Sequence, residues 1–592
     1  MKDFLKYVLA TITGLVVLGL LATISSVVTL LGMSMQSTTV PVPDNAVLTL
    51  KLNGTLVERA EENPFAQLFG NAAMEEQGLD DMLSAVRHAA ENDKVKGIYI
   101  EAGALSGATP AMLEELRHAL VDFKKSGKFI VSYGDTYTQG AYYICSVADS
   151  VVINPQGMLD WKGLAMQSVF VKDFLDKVGV KMQVFKVGTY KSAVEPVILN
   201  EMSEANKEQL TVMSGEIWDN MTKAVSESRK ISVDKLNALA DTAVMFCDAE
   251  FYKKEKLVDK LAYSDDVPGI IAAMMEVEDK DDYSTIGTVD MANAAGNEPK
   301  NESGDIIAVY YAYGDIVQEA SSGYGNTEIV GSKVVRDLKK LAEDDDVKAV
   351  VLRVNSGGGS AYASEQIWNQ VMNIKSEKPI IVSMGGMAAS GGYYISCAAD
   401  WIVAEPTTLT GSIGIFGMFP EASELLNEKL GIHFQSVKTN KYSDFGDISR
   451  PMNTGEQAML QGYINRGYEL FTKRCAGGRK MKQDKIKAIA EGRVWTGVHA
   501  KQIGLVDQLG GLEDAIAVAK KKAKVEKCTV MNYPEKPSIF DQLLNQAQGS
   551  SYADAKMQEV FGEYYNLLKP LRRMNGKGSV EASVPYYLMF NL

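Results

Sequence analysis

Hydrophobic positions along the chain follow two alternating periods. Leu79, Met82, Leu83 and Val86 fall on one face of a helix, and Val334, Leu338, Leu341 and Ala342 do the same further on. Each stretch leads into a short β-branched run, residues 98–100 or 350–354. A further helix separates that run from a second one, residues 129–132 or 380–383. Helix and strand in alternation predict parallel strands joined by crossover helices, hence an α/β fold. In such folds reactive groups collect on loops at the carboxyl ends of the strands.

The two sets of elements belong to a repeat. Asn92-Asp93-Lys94-Val95-Lys96 matches Asp344-Asp345-Asp346-Val347-Lys348, and Gly140-Ala141-Tyr142-Tyr143-Ile144 matches Gly391-Gly392-Tyr393-Tyr394-Ile395. Leu257-Val258-Asp259 matches Leu505-Val506-Asp507, all at an offset of about 250 residues. The pattern predicts two tandem homologous domains, residues 45–292 and 306–530. A polar linker at 293–305 joins them, and a tail, 531–592, matches nothing in either. A length of 592 residues exceeds what one hydrophobic core organises, in keeping with two domains.

The N-terminal 44 residues read differently. Lys2, Asp3 and Lys6 are followed by no charge until Asp44, and residues 8–31 are almost continuously apolar, long enough to cross a bilayer. A cleaved signal peptide is the competing reading, but the run is longer than such a segment needs and lacks a small-residue cleavage site at its end. The two lysines place the N-terminus in the cytoplasm and the rest of the chain across the membrane. A net charge of −14 argues against nucleic acid as a partner. The five cysteines form no CxxC pair and no ligand spacing with histidine, so no metal site is expected; they are buried small hydrophobes or include a disulfide.

Two loops following strands are candidates for chemistry. Asn355-Ser356-Gly357-Gly358-Gly359-Ser360 would let backbone N–H groups turn toward a ligand, or would simply make a tight turn. Residues 385–393, Gly-Gly-Met-Ala-Ala-Ser-Gly-Gly-Tyr, surround the hydroxyl of Ser390 with small residues, so a substrate backbone could reach it. The alternative is a helix N-cap serine. A nucleophilic serine needs a base, and the four histidines, His88, His118, His433 and His499, sit in no convincing setting. A lysine serves if burial disfavours its ammonium form. Lys191, in Gly188-Thr189-Tyr190-Lys191-Ser192-Ala193, is one candidate, although read alone it is an ordinary surface lysine.

At these residues the sequence resembles the long, two-domain bacterial signal peptide peptidase A (protease IV) family, whose fold is of the Clp protease and crotonase type. The resemblance rests on GTYKSAVEP around Lys191, residues 353–360 ending in Gly-Gly-Ser, MAASGGYYIS around Ser390 and LTGSIGIFG at 409–417. It implies a membrane-anchored serine endopeptidase with Ser390 as nucleophile and Lys191 as general base. Ser412 would orient the lysine, and the backbone N–H groups of Gly359 and Gly391 would form an oxyanion hole that Gly358 helps shape. Gly357 departs from the family, which commonly has proline there. The resemblance also implies released signal peptides as substrates, a homotetramer, no cofactor, and an inner-membrane location with catalytic domains facing the periplasm. Ser390 aligns with Gln139 in the first half, so the site would combine a base from one half with a nucleophile from the other; Lys441 is held in reserve as a base. Two rival readings remain: a crotonase-type hydratase, which would need a carboxylate acid/base, and a membrane-tethered scaffold with a decayed site.

Overall fold

The computed structural model describes residues 14, 18–19, 40–60, 76–278, 282–294, 304–320, 328–536 and 579–583, the last five as backbone. The predicted membrane span at 8–31 thus lies outside the described residues but for three isolated positions. Among the described residues no helix is long and apolar enough to cross a membrane.

The alternating pattern folds as an α/β structure. The predicted helical faces lie inward: Leu79, Met82, Leu83 and Val86 are buried in helix Leu79–Glu91, and Val334, Leu338, Leu341 and Ala342 in helix Gly331–Glu343. Each such valine, leucine or methionine side chain withdrawn from water contributes about 1.5–3 kcal/mol before the entropy of ordering is subtracted. These helices cover two mainly parallel sheets. The first runs Glu76–Gly78, Ala46–Val57, Val95–Ser106, Phe129–Tyr137, Ser150–Leu159, Lys260–Leu261, with Ser284–Gly287 also on Ala46–Val57. The second runs Val494–Thr496, Leu409–Gly411, Ile380–Ala389, Val347–Ser356, Ile306–Tyr313, Thr529–Tyr533, with Trp401–Ala404 and Gln508–Leu509 attached beside Ile380–Ala389. Near-continuous apolar runs such as 350–354 suit strands covered on both faces.

A third sheet joins the halves. Its order is Glu328–Val330, Asp315–Val317, Gly358–Ser360, Ser579–Ser583, Ile415–Glu421, Lys181–Val187. The last of these comes from the first half of the chain, yet it pairs antiparallel with Ile415–Glu421 of the second, Ile415 opposite Val187 and Glu421 opposite Lys181. This exchange delivers the loop after Val187 to the second half's sheet.

A buried ionic cluster lies at the same junction. Arg353, 1% exposed within strand Val347–Ser356, donates to Glu58 at 3.0 Å and to Glu115 at 2.6 Å, both from the first half. Burial works against its charge, and the Glu115 and Glu58 carboxylates more than restore it. Glu58 also accepts from the Asn355 amide at 2.8 Å, and the Asn355 oxygen accepts from the Met387 backbone N–H at 3.0 Å. One first-half carboxylate therefore braces both candidate loops of the second half.

Candidate active site

Strand Val347–Ser356 ends where Gly357 interrupts it, and Gly358–Ser360 resumes in the third sheet. Gly358 and Gly359 have φ of 103° and 149°. A methyl group on Gly359 would collide with the Ile316 carbonyl, so only glycine lets this segment lie against Asp315–Val317. Ser360 then caps the following helix, its hydroxyl accepting from the Ala363 N–H at 3.2 Å, which pins the far end of the loop.

Strand Ile380–Ala389 ends at Ser390, which opens the short helix Gly391–Ser396. Its backbone sits at φ 54°, ψ −112°, a conformation rarely adopted by residues with side chains and held by its N–H on the Gly411 carbonyl at 2.8 Å. Its side chain makes no cap hydrogen bond to that helix, so the N-cap reading of this serine loses its basis. Gly392 lets the helix pack on the glycine loop: a Cβ there would stand 2.6 Å from the Ser356 carbonyl oxygen.

The exchanged strand brings Lys191 to this serine. Lys191 is 1% exposed and Ser390 0%, and Nζ lies 2.7 Å from Ser390 Oγ. Nζ also donates to Ser412 Oγ at 3.0 Å and to the Ser412 carbonyl at 3.1 Å, with the Phe416 ring 6.0 Å away. Ser412, at φ 48°, donates its N–H to the Arg493 carbonyl. The structure thus brings together Ser390, Lys191 and Ser412, taken from both halves of one chain. Lys441, the reserve base, lies instead on an exposed loop with its ammonium over the Tyr442 ring.

Other residues that hold the lysine were not visible in the sequence. Gln209, on the long helix Glu204–Arg229, donates to the Tyr190 carbonyl and to Ser192 Oγ, while its oxygen accepts from the Val494 N–H. Tyr190 N–H donates to the Glu491 carbonyl at 2.9 Å. Gly492, at φ 78°, leaves room for the lysine stem, since a Cβ there would lie 2.6 Å from Lys191 Cβ. Two histidines acquire acidic partners from the other half: His118 Nδ1 lies 3.2 Å from Glu405, and His499 pairs with Glu216.

In the first half, Gln139 occupies the position aligned with Ser390. It is fully buried, and its side-chain oxygen accepts from the N–H groups of Lys162 and Gly163, both at 2.9 Å, closing the loop against itself. That position is structural.

The model of peptidase family S49 matches the chain twice, at residues 122–278 and 373–526, and the Clp protease model matches residues 310–404. The two S49 matches stand about 250 residues apart, the interval of the internal repeat. "Protease 4" of Salmonella typhi is 36% identical over 559 residues, covering 92% of this chain and 88% of that protein. "Protease 4" of Haemophilus influenzae is 33% identical, covering 91% and 86%. "Serine protease SPPA, chloroplastic" of Arabidopsis thaliana is 33% identical, covering 74% and 64%.

Proposed function

Since this chain belongs to peptidase family S49 and is a serine protease, we propose that it cuts peptides with a Ser390/Lys191 dyad drawn from its two halves. The observation that carries this reading is the 2.7 Å approach of a buried Lys191 Nζ to a buried Ser390 Oγ. A base must be a neutral amine, and withdrawal from water disfavours the ammonium form. Lys191 takes the hydroxyl proton as Oγ attacks the scissile carbonyl. Ser412, through hydroxyl and carbonyl, keeps Nζ aimed. The oxyanion is received by the N–H groups of Gly359 and Gly391, with Gly358 shaping the loop that presents the first. Lys191 then gives its proton to the leaving amine, and water hydrolyses the acyl-enzyme. Neither a metal nor a cofactor is needed for these steps.

The substrates in this reading are short apolar peptides, foremost released signal peptides, which partition to the bilayer where residues 8–31 would hold the enzyme. The catalytic domains then face the periplasm from the inner membrane. Assembly as a homotetramer would cover the segment after the second-half strands, where Leu430, Ile432, Phe434, Val437 and Phe445 stand exposed.

The test is hydrolysis of a fluorogenic apolar peptide by the wild type, Ser390→Ala and Lys191→Ala. Both variants should lose at least about a thousandfold in kcat/KM with unchanged thermal unfolding. Lys191→Ala retaining wild-type hydrolysis would remove the lysine from the mechanism.

A further inference from the structure

A second group of ionisable side chains lies where the two halves meet. Helix Pro110–Lys124 carries Glu114 and His118 four positions apart, so both leave the same face of it. Glu405, directly after strand Trp401–Ala404, comes in from the second half. One ligand atom from each of the three lies within 4.8 Å of the others. Glu114 and Glu405 are 2% and 1% exposed, while the His118 side chain is half exposed and opens the group to solvent. The buried charge here is out of balance. Glu58 and Glu115 share Arg353, whereas Glu114 accepts only from neutral donors: the Thr407 N–H at 3.1 Å, the Thr407 hydroxyl at 2.6 Å and the Asn220 amide. Glu405 Oε2 faces His118 Nδ1 at 3.2 Å, and no hydrogen-bond donor among the described residues reaches its Oε1. A carboxylate withdrawn from water with an oxygen left unpaired costs stability that a cation at the same point recovers.

We propose that Glu114, His118 and Glu405 form a site for a divalent cation of the zinc class, which clamps helix Pro110–Lys124 of the first half to the turn after strand Trp401–Ala404 of the second. Two carboxylates neutralise a double positive charge, and the imidazole selects zinc over magnesium and calcium, which favour oxygen ligands alone. His118 binds as the neutral ring, and water from the open side completes the coordination. The Thr407 and Asn220 donors hold the Glu114 carboxylate in place, the part that outer-shell partners play around a metal. The clamped turn supports the nucleophile. The Glu405 N–H donates to Thr408 Oγ1, and that hydroxyl donates to the Gly385 carbonyl at the head of the Ser390 loop. Three residues on, the Gly411 carbonyl accepts the Ser390 N–H. Without the cation, burial pushes Glu405 up to about 7 and a proton takes the metal's place, so the proton uptake of this group belongs to the metal-free chain.

The full chain, stripped with chelator and returned to neutral buffer, is titrated with zinc chloride, and bound metal and thermal unfolding are read together. His499→Ala serves as the control, because His499 pairs with Glu216 elsewhere between the halves. The wild type and His499→Ala should each take up about one zinc per chain, and Glu405→Gln and His118→Ala should bind it at least about a hundredfold more weakly. Zinc at a hundredfold its dissociation constant should raise the wild-type unfolding midpoint by about 3 °C, a shift that Glu405→Gln and His118→Ala lose. A wild type that binds no zinc overturns the site. So do variants that bind it as the wild type does, or a loss confined to His499→Ala. Magnesium or calcium binding as tightly as zinc overturns the choice of cation. Should Glu405→Gln fail to fold, His118→Ala decides the matter, since its half-exposed ring can be removed without opening the core.

Discussion

Asp259 in the first half and Asp507 in the second do the same work. Asp259 accepts from the Val151 N–H and from Arg229; Asp507 accepts from the Ile402 N–H and from Arg479. Tyr142 donates to the Leu257 carbonyl as Tyr393 does to that of Leu505. The copies diverge at the ends of their strands. Val95–Ser106 in the first half runs twelve residues without interruption, while its counterpart breaks at Gly357 and sends Gly358–Ser360 into another sheet. Where one copy has the strained Ser390, the other has a Gln139 that seals its own loop. The clamps that set the fold are duplicated, and the features that expose a reactive backbone are present once. Duplication left the scaffold symmetric and let one set of strand ends become ordinary.

The comparison is broken most severely by a change at the strand break. Gly359→Ala should lower kcat/KM by at least about a hundredfold, because the amide proposed as oxyanion donor must move to relieve the clash with Ile316. Gly107→Ala at the corresponding first-half turn, φ 70°, should cost about 1 kcal/mol of stability and leave hydrolysis within a few-fold. Equal activity losses in the two would refute the division of roles.

Next in size is the cluster that binds the halves. Glu58→Ala removes one of two carboxylates from a fully buried guanidinium and frees Asn355, so about 3 kcal/mol in urea unfolding and a marked drop in kcat/KM are expected together. A stability loss without an activity loss would mean that the brace does not reach the loops.

A pH effect of intermediate size comes from Glu405, in the second half, against first-half Glu114 and His118. Burial pushes Glu405 up to about 7, and its hydrogen bond to His118 lifts the imidazole to about 9. Both values exceed those of the unfolded chain, so folding takes up protons and this contribution declines as pH rises from about 4.5 to about 9. The stability of wild type relative to Glu405→Gln should therefore fall steadily across that range in denaturant titrations. A difference independent of pH would show that the cluster does not titrate with folding.

The smallest effects test the symmetry itself. Asp259→Asn and Asp507→Asn each weaken one charged clamp in a partly exposed setting and should each cost about 1 kcal/mol in thermal unfolding. Unequal costs would show that the second copy relies on its scaffold more than the first.

Much of this architecture is legible in local pattern. The helical faces and the β-branched runs depend on neighbours a few residues apart, as do the small residues around Ser390, and the repeat shows by direct comparison of the two halves. Ser412 emerges only through family motifs, and Lys191 is one candidate until those motifs single it out, because nothing local distinguishes a buried lysine from a surface one. Glu58, Glu115, Gln209 and Gly492 stay hidden, since their roles exist only where distant segments meet. One signal could have found the carboxylates: Arg353 sits within an apolar strand, and a charge in that position demands partners from elsewhere. His118 and His499 looked unaccompanied for the same reason, their acids lying hundreds of residues away.

The exchanged strand Lys181–Val187 has a consequence that belongs to genetics. Because it carries the lysine to a serine on its own chain, a population mixing Lys191→Ala chains with Ser390→Ala chains supplies an intact lysine and an intact serine, yet never both in one chain. Lesions in the two halves should fall into a single complementation group, and neither copy can be lost while the other is kept.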